Sequence, residues 1–300
     1  SKAFTPARIR GLSRQIREIA VGHLEKLDGR DHFDVVEEFT TRLPMDVIST
    51  MLGIPAEDRD QVREWSNAVL HRDPGNPLPT EQGLAAMGHL HEYMQAHLAA
   101  RRKRPQDDMT SVLAEAEVEG HRLTDAEIRG FVQLLAAAGN ETVTKLLASA
   151  FYWLDRHPDQ RRLLTNDPAL CENAVEEFLR FDPPSHYQGR VVKREVTLHG
   201  ETLPEGARVL IVNGASGRDE RKFPDPDRLD VRREIDVHLG FGYGRHICLG
   251  ASLARMETRI ALEEFFSRWP EYAVREGGAR RMHSSNVRGF AGLDLEVAVS

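Results

Sequence analysis

The 300-residue chain is poor in cysteine, in long apolar runs and in positive charge. Its two cysteines, Cys171 and Cys248, allow at most one disulfide. No disulfide framework organises the fold, and a reducing, cytoplasmic setting is the default. No uncharged stretch approaches the length of a bilayer span, and the most apolar central run, Phe131–Asn140, is far too short, so no membrane segment is expected. No secretory signal is visible, although the chain opens on Ser1-Lys2-Ala3-Phe4 without Met. With 47 acidic side chains against 40 lysines and arginines, the net charge of −7 argues against nucleic acid as a partner. The strongest basic run, Arg101-Arg102-Lys103-Arg104, follows a helical pattern and reads as cations solvated near a helix C-terminus. Absent too are the CxxC and HExxH spacings of zinc sites, the Lys-Ser/Thr end of a phosphate loop and a dinucleotide fingerprint. No repeat or low-complexity linker divides the chain, so one domain over residues 1–300 is expected.

The first two thirds read as successive helices. Ile9, Leu12, Ile16, Ile19 and Leu24 predict a helix over Pro6–Leu27, and further helices are expected over Leu43–Leu52, Arg59–Leu70 and from about Thr80. The strongest helical signal runs from Asp125 to about Asp155. Thr124 and Glu127 make a capping box, Leu123 and Ile128 a hydrophobic staple, and Pro158 lies just beyond the end. After Pro183-Pro184 the pattern changes. Glu195–His199 and Arg208–Val212 read as strands joined through the turn Leu203-Pro204-Glu205-Gly206, and Tyr272–Val274 and Val287–Val299 as short strands. Phe223-Pro224-Asp225-Pro226-Asp227 suits an ordered loop. The fold class is therefore mainly α with small β-sheets, α+β.

Phe241-Gly242-Tyr243-Gly244-Arg245-His246-Ile247-Cys248-Leu249-Gly250 is the most informative stretch. Apolar residues at Leu253, Met256, Ile260 and Phe266 predict a helix opening at Cys248. Free N–H groups and the helix dipole would favour a thiolate at that end. Gly242, Gly244 and Gly250 leave the backbone clear for a broad, flat group. A thiolate beside such a surface suggests the axial ligand of a haem iron. His246 leaves open a zinc site or a Cys–His nucleophile pair, both weaker because the further ligands, or an aligned orienter, cannot be read from the spacing. On the long helix, Ala138 and Thr142 share a face with Leu135 and Phe131. The small residues Ala136–Gly139 would admit a flat ligand, and a Thr142 bond to the Ala138 carbonyl would bend the helix to leave a groove. Close helix packing explains the same residues equally well. Glu177 and Arg180 form an i, i+3 pair, a pattern that at a surface contributes only about 0.2–0.5 kcal/mol.

Taken in order, Ala138–Thr142, Glu177–Arg180, Phe223–Arg228 and Phe241–Gly250 closely resemble the cytochrome P-450 family, the haem-thiolate monooxygenases. The likeness extends over essentially the whole chain and is nearest to the soluble bacterial branch. It implies the cytochrome P-450 fold without that family's N-terminal helices and first strands. It also implies haem b, with Cys248 as the proximal iron ligand and the Leu249 and Gly250 backbone near its sulfur. Phe241 would pack beside the thiolate, Gly242 and Ala138 would lie along the haem, and His246 and Arg190 would hold its propionates. Glu141 and Thr142 match the acid–alcohol pair that delivers protons to oxygen. Glu177 and Arg180 would be buried structural residues tied to the loop at Arg228. Substrate-pocket candidates are Phe131, Leu134, Leu135, Ala138, Ser185, His186, Tyr187, the loop Pro74–Pro79 and Phe290-Ala291. The implied reaction inserts one oxygen atom of O2 into a C–H bond of a small, lipophilic substrate. Electrons would come from a ferredoxin and ferredoxin reductase, with Arg245 and Arg255 helping an acidic redox protein to dock. A peroxide-driven peroxygenase and a non-catalytic haem-binding fragment are the alternatives.

Overall fold

Thr124 starts a helix of 32 residues, Asp125–Arg156, which is about 48 Å long and packs against helices from both halves of the chain and against the C-terminal strands. Its capping box is closed on both sides. Thr124 Oγ1 accepts the Glu127 N–H at 3.3 Å, and Glu127 Oε2 accepts the Thr124 N–H at 2.8 Å. Leu123 packs with buried Ile128 in one apolar cluster, as a staple requires.

These elements come from a computed structural model that describes residues 6–76, 78–118, 120–284 and 287–298. The chain begins with α1 (Pro6–Gly11), α2 (Ser13–Leu24), β1 (His32–Asp34), α3 (Arg42–Leu52), α4 (Arg59–Leu70), α5 (Glu81–Lys103) and α6 (Met109–Glu115). A small hairpin of β2 (Glu117–Val118) and β3 (His121–Arg122) leads into the long helix α7, then α8 (Pro158–Asn166) and α9 (Leu170–Phe181). Next come β4 (Gln188–Val191), β5 (Val196–Leu198), β6 (Glu201–Leu203), β7 (Arg208–Ile211) and the single turn α10 (Asn213–Ser216). The chain then runs through α11 (Ala251–Arg268), β8 (Tyr272–Arg281) and β9 (Phe290–Val297).

Two apolar clusters share α7. Its first half supplies Ile128, Val132 and Leu135 to a cluster with Ile48, Leu52, Leu90, Met94 and Leu113. Its second half supplies Leu147, Phe151 and Leu154 to a cluster with Ala20, Phe178, Phe265 and Leu295. Phe151 and Phe265 stack obliquely with ring centres 4.4 Å apart, fixing α7 against α11.

Several elements differ from the sequence expectation. The helix expected over Pro6–Leu27 breaks at Gly11-Leu12, where glycine weakens the ladder, and ends in a tight 3-10 turn at Glu25–Leu27. The strands expected around 195–199 and 208–212 belong to separate ribbons: β5 pairs with β6, and β7 with β4. The expected turn at 203–206 is shifted by one residue: the Ala207 N–H bonds the Pro204 carbonyl at 3.1 Å, making Pro204 the first turn residue and not the second, while the Gly206 N–H goes to the Val192 carbonyl at 2.9 Å. The C-terminal strands are long and antiparallel, and β1 completes the order β1-β9-β8. Three residues are too few for β1 to carry an alternation signal. Ser1–Phe4, Pro77 and Val299, on which parts of the sequence reading fall, lie outside the described residues.

The connection from α10 to α11 has little regular structure of its own and hangs on one buried ion pair. Glu177 and Arg180 have side chains wholly removed from solvent, with Arg180 Nε 2.7 Å from Glu177 Oε2 and Nη2 2.8 Å from Oε1. The guanidinium also donates to the carbonyls of Gly217 at 2.6 Å, Pro226 at 2.8 Å and Arg228 at 3.2 Å. Glu177 Oε1 accepts the Asp230 N–H at 2.8 Å. Nearly every donor and acceptor of the pair is thereby used, as deep burial of charge demands. Arg228 takes part only through its backbone. Its side chain is 65% exposed and reaches Asp230 at 3.8 Å, so the expected tie to the loop at Arg228 runs through the carbonyl. The second cation on Glu177 is Arg233, at 3.3 Å.

Arg180→Leu strands Glu177 in a dry site and should lower the unfolding free energy by about 3–5 kcal/mol in urea titrations. Arg228→Ala leaves the carbonyl in place and should stay within about 0.5 kcal/mol of the parent.

Candidate functional site

The Cys248 loop folds back on itself through short backbone bonds. The Cys248 N–H donates to the Phe241 carbonyl at 2.9 Å, and the Gly242 N–H to the Leu239 carbonyl at 2.9 Å. Gly242 has φ +73°, a left-handed conformation that suits glycine. A Cβ on Gly240 would fall 2.7 Å from the Leu179 carbonyl, so only glycine lets the loop lie this close to α9.

The helix after the loop begins at Ala251, not at Cys248, with Gly250 as its N-cap residue. Cys248 thus lies just outside the first turn. Burial pushes its thiol up, while the Gly250 N–H on sulfur and the Arg255 charge pull it back only in part. The shift runs against the thiolate, so the helix end by itself does not supply the stabilisation expected of it. A coordinated metal would remove the proton outright.

Cys248 opens onto a cavity of about 340 Å³ with mainly apolar walls. The α7 wall carries Phe131, Leu135, Ala138 and Thr142, and the loop wall carries Phe241, His246, Cys248 and Gly250. Ser185, just after α9, closes a third side, and Leu134 lines the cavity although it is 60% exposed. Thr142 Oγ1 donates to the Ala138 carbonyl at 3.0 Å, the local bond expected of a mid-helix threonine. A Cβ on Gly139 would meet Ile48 at 3.5 Å, an ordinary contact, so packing does not force that glycine. Gln188, Leu253, Ala254 and Glu257 also line the space and were not singled out from the sequence. The last three share one face of α11 with Gly250, a spacing that the sequence already contains.

Other expected site residues lie elsewhere. Glu141 faces the opposite side of α7, buried beside a polar cavity and paired with Lys145 at 2.9 Å. One residue along a helix turns a side chain by about 100°, which separates Glu141 from Thr142. Arg190 sits on exposed β4 and is not itself a lining residue, but it donates to the Gly189 carbonyl at 2.8 Å and to Oε1 of the lining residue Gln188 at 3.1 Å. Gly242 shapes the loop but does not line the cavity. His186 and Tyr187 line a different pocket, and His186 Nε2 lies 3.4 Å from Asp182. Phe290 alternates inward along β9, is 1% exposed and packs 4.7 Å from the Tyr152 ring, while Ala291 borders the polar cavity. No described residue of the loop 74–79 lines the Cys248 cavity.

A second acid of α9 holds the loop from its other end. Glu176 accepts from Arg255 Nε at 2.6 Å and Nη2 at 2.9 Å, and lies 3.0 Å from His238 Nε2. His238 Nδ1 in turn accepts the Gly240 N–H at 3.0 Å, and the Arg255 guanidinium covers the Phe241 ring at 4.7 Å. Arg255 is thus paired with Glu176 while its side chain stays 41% exposed, and Arg245 is exposed as well. Burial alone would raise the Glu176 carboxyl, but the His238 and Arg255 bonds outweigh it and bring the pKa to about 2.

Residues 76–270 match the sequence pattern of the family described as Cytochrome P-450. The chain is 45% identical over 298 residues to cytochrome P-450 123 of Mycobacterium tuberculosis, covering 99% of this chain and 74% of that protein. It is 40% identical over 298 residues to the vitamin D(3) 25-hydroxylase of Pseudonocardia autotrophica, covering 98% and 73% respectively. Among solved structures, that of cytochrome P-450 CYP109Q5 from Chondromyces apiculatus superposes with a TM-score of 0.93 at 34% identity, over 100% of this chain and 75% of the other.

The depressed Glu176 carboxyl stabilises the fold above its unfolded value, near 4.5, and loses that contribution as pH falls through about 2. In denaturant titrations, the stability gap between parent and Glu176→Gln should be widest above pH 4.5 and close toward pH 2.

Proposed function

The chain belongs to the cytochrome P-450 family, and from that premise we propose that it hydroxylates a small, lipophilic molecule, with electrons from a ferredoxin and its reductase. Members of this family are haem b monooxygenases whose iron is carried on a cysteine thiolate, and they use O2, a small-molecule substrate and redox partners. The observation that carries the proposal is the pairing, across one apolar cavity, of Cys248 with the Ala138–Thr142 face of α7.

The residues present suit haem. No group of three or more His, Cys, Asp or Glu among the described residues is arranged to hold a metal ion by itself. A single sulfur is the donor set expected when a macrocycle supplies the other in-plane ligands. The sulfur faces a cavity whose opposite wall is Ala138 and Gly139, the smallest side chains on that face of α7. In this reading Cys248 holds the iron, with the Gly250 N–H on its sulfur. His246, on the cavity wall, offers an imidazole to a propionate. When bound, the haem supplies the activation of oxygen and its transfer to a C–H bond.

The chain's own groups then have separable tasks. Phe131 and Leu135 present apolar surface to the substrate, and Ser185 offers a hydroxyl at its edge. Thr142 holds a hydroxyl on the cavity side of α7 and passes a proton toward the oxygen atom. Glu141, on the polar side and 2.9 Å from Lys145, is the acid from which protons would be drawn. A lipophilic substrate is favoured by the apolar walls and by likeness to an enzyme named for hydroxylating vitamin D(3). No described helix is long and apolar enough to cross a membrane. The reading further assigns the chain to one haem-thiolate domain, working in the cytoplasm.

In the haem-loaded protein, reduction under carbon monoxide should give the strongly red-shifted Soret band of thiolate ligation, and Cys248→Ala should abolish it. Apolar ligands should displace the resting spin state where polar analogues of equal size do not. Thr142→Ala should keep consuming reductant while hydroxylated product falls by about 100-fold. Full coupling in that variant overturns the proton-delivery role.

A further inference from the structure

Behind the Ser185 wall of the Cys248 cavity lies a second, separate pocket of about 300 Å³. The bridge between Ser185 and Val287 divides the two, with Ser185 lining the cavity and Val287 the pocket. Arg281 and Arg288 both border this pocket, together with Tyr187. The end of the C-terminal ribbon brings them there. Arg281 pairs in register with Phe290, and the Met282 N–H donates to the Gly289 carbonyl at 3.0 Å. The Arg288 N–H donates to the Pro184 carbonyl at 2.8 Å, which fixes the other edge.

The charges around this pocket do not balance. The Arg281 guanidinium covers the Phe290 ring at 3.9 Å and lies 5.3 Å from the Tyr152 ring, which Arg156 also approaches, at 4.5 Å. Among the described residues these three arginines make one ion pair, from Arg288 Nε to Asp182 at 3.0 Å, and Arg281 makes no hydrogen bond. The Asp182 carboxylate is buried and also accepts from Trp153 Nε1 at 2.9 Å, so it is already engaged. Burial and the nearness of Arg288 hold the Arg281 guanidinium below its usual range, as expected of a cation without a counter-charge. Gathering like charges costs free energy that an anion between them would offset. Stacking on an aromatic face fixes a guanidinium and leaves its edge N–H groups free to donate. Both cations keep contact with solvent, Arg288 at 46% exposure, so a ligand can reach them.

We propose that this pocket is a binding site for an oxyanion, a carboxylate or phosphate group held by the N–H groups of Arg281 and Arg288. The guanidinium fork matches the two-oxygen edge of such groups, and Tyr187 carries a further hydroxyl on the same wall. The site does not involve Cys248 and stands independently of the haem reading.

Calorimetric titrations at low ionic strength with inorganic phosphate, octanoate and octan-1-ol test the site. Phosphate or octanoate should bind saturably, and Arg281→Met should weaken that binding by about 10- to 100-fold. Arg228→Gln, which removes an exposed cation elsewhere, should leave it unchanged. Binding of phosphate identifies a site for free oxyanions, and binding of octanoate alone a site for the charged end of an amphipathic molecule. No saturable binding of either anion, or equal binding by parent and Arg281→Met, overturns the proposal. So does a loss of octan-1-ol binding in Arg281→Met as large as that of octanoate, since the alcohol carries no charge. Phenylglyoxal labelling of the parent gives a reading that needs no variant to fold. The anion that binds should protect Arg281 and leave Arg228 as reactive as before. Equal labelling of Arg281 with and without the anion overturns the site.

Discussion

The geometry of the Cys248 site depends on a buried ion pair that never touches it. Glu177 and Arg180 lie on α9 with no access to solvent, and between them they bond the backbone at Gly217, Pro226, Arg228 and Asp230. That stretch has almost no ladder of its own, so its backbone groups need partners from outside. An arginine with five fixed donors can satisfy several carbonyls at once, which a lysine could not do. The neighbouring Glu176 points about 100° away and engages Arg255 and His238, which border the loop on its α11 and N-terminal sides. Two consecutive acids on one helix thus set where the connecting segment starts and where it delivers Cys248. Such a pair need not stabilise the fold more than apolar packing would; its contribution is a single defined path for the chain.

The long helix α7 divides the interior in chemical terms as well as in space. One face carries Ala138 and Thr142 into an apolar cavity, and the next residue over, Glu141, meets a polar cavity bordered by Arg42, Arg63 and His283. Lys145 ties that polar side to β9 through the Phe290 carbonyl at 2.8 Å. The same residue fixes the carboxylate of Glu141 and anchors the C-terminal sheet. A helix wall one residue thick is a natural place to bring protons from a wet compartment to a dry one. The dry side then needs only a hydroxyl, because a resident charge there would be costly.

Local signals were legible in the sequence wherever short-range physics decides the outcome. The capping box at Thr124 and Glu127 and the bond from Thr142 to the Ala138 carbonyl both appear as read. The cavity residues on α7 were legible for the same reason, since a helix face follows from spacing alone. What escaped depends on long-range approach. Arg233, not the side chain of Arg228, is the second cation on Glu177, and nothing in the order of residues distinguishes them. Phe290 was assigned to the site from resemblance, whereas its place on β9 turns it into the core. The start of α11 was misread because the apolar period continues smoothly back through Cys248, while the loop closes by the bond from its N–H to Phe241.

That last difference alters the chemistry of the sulfur. Within the first turn of α11, Cys248 would face several free N–H groups and carry charge readily. Just outside it, the sulfur has the Gly250 N–H and a guanidinium already neutralised by Glu176, and burial dominates. The charges nearest the loop are thus paired with each other, Arg255 lying 2.6 Å from Glu176, and are not offered to the sulfur.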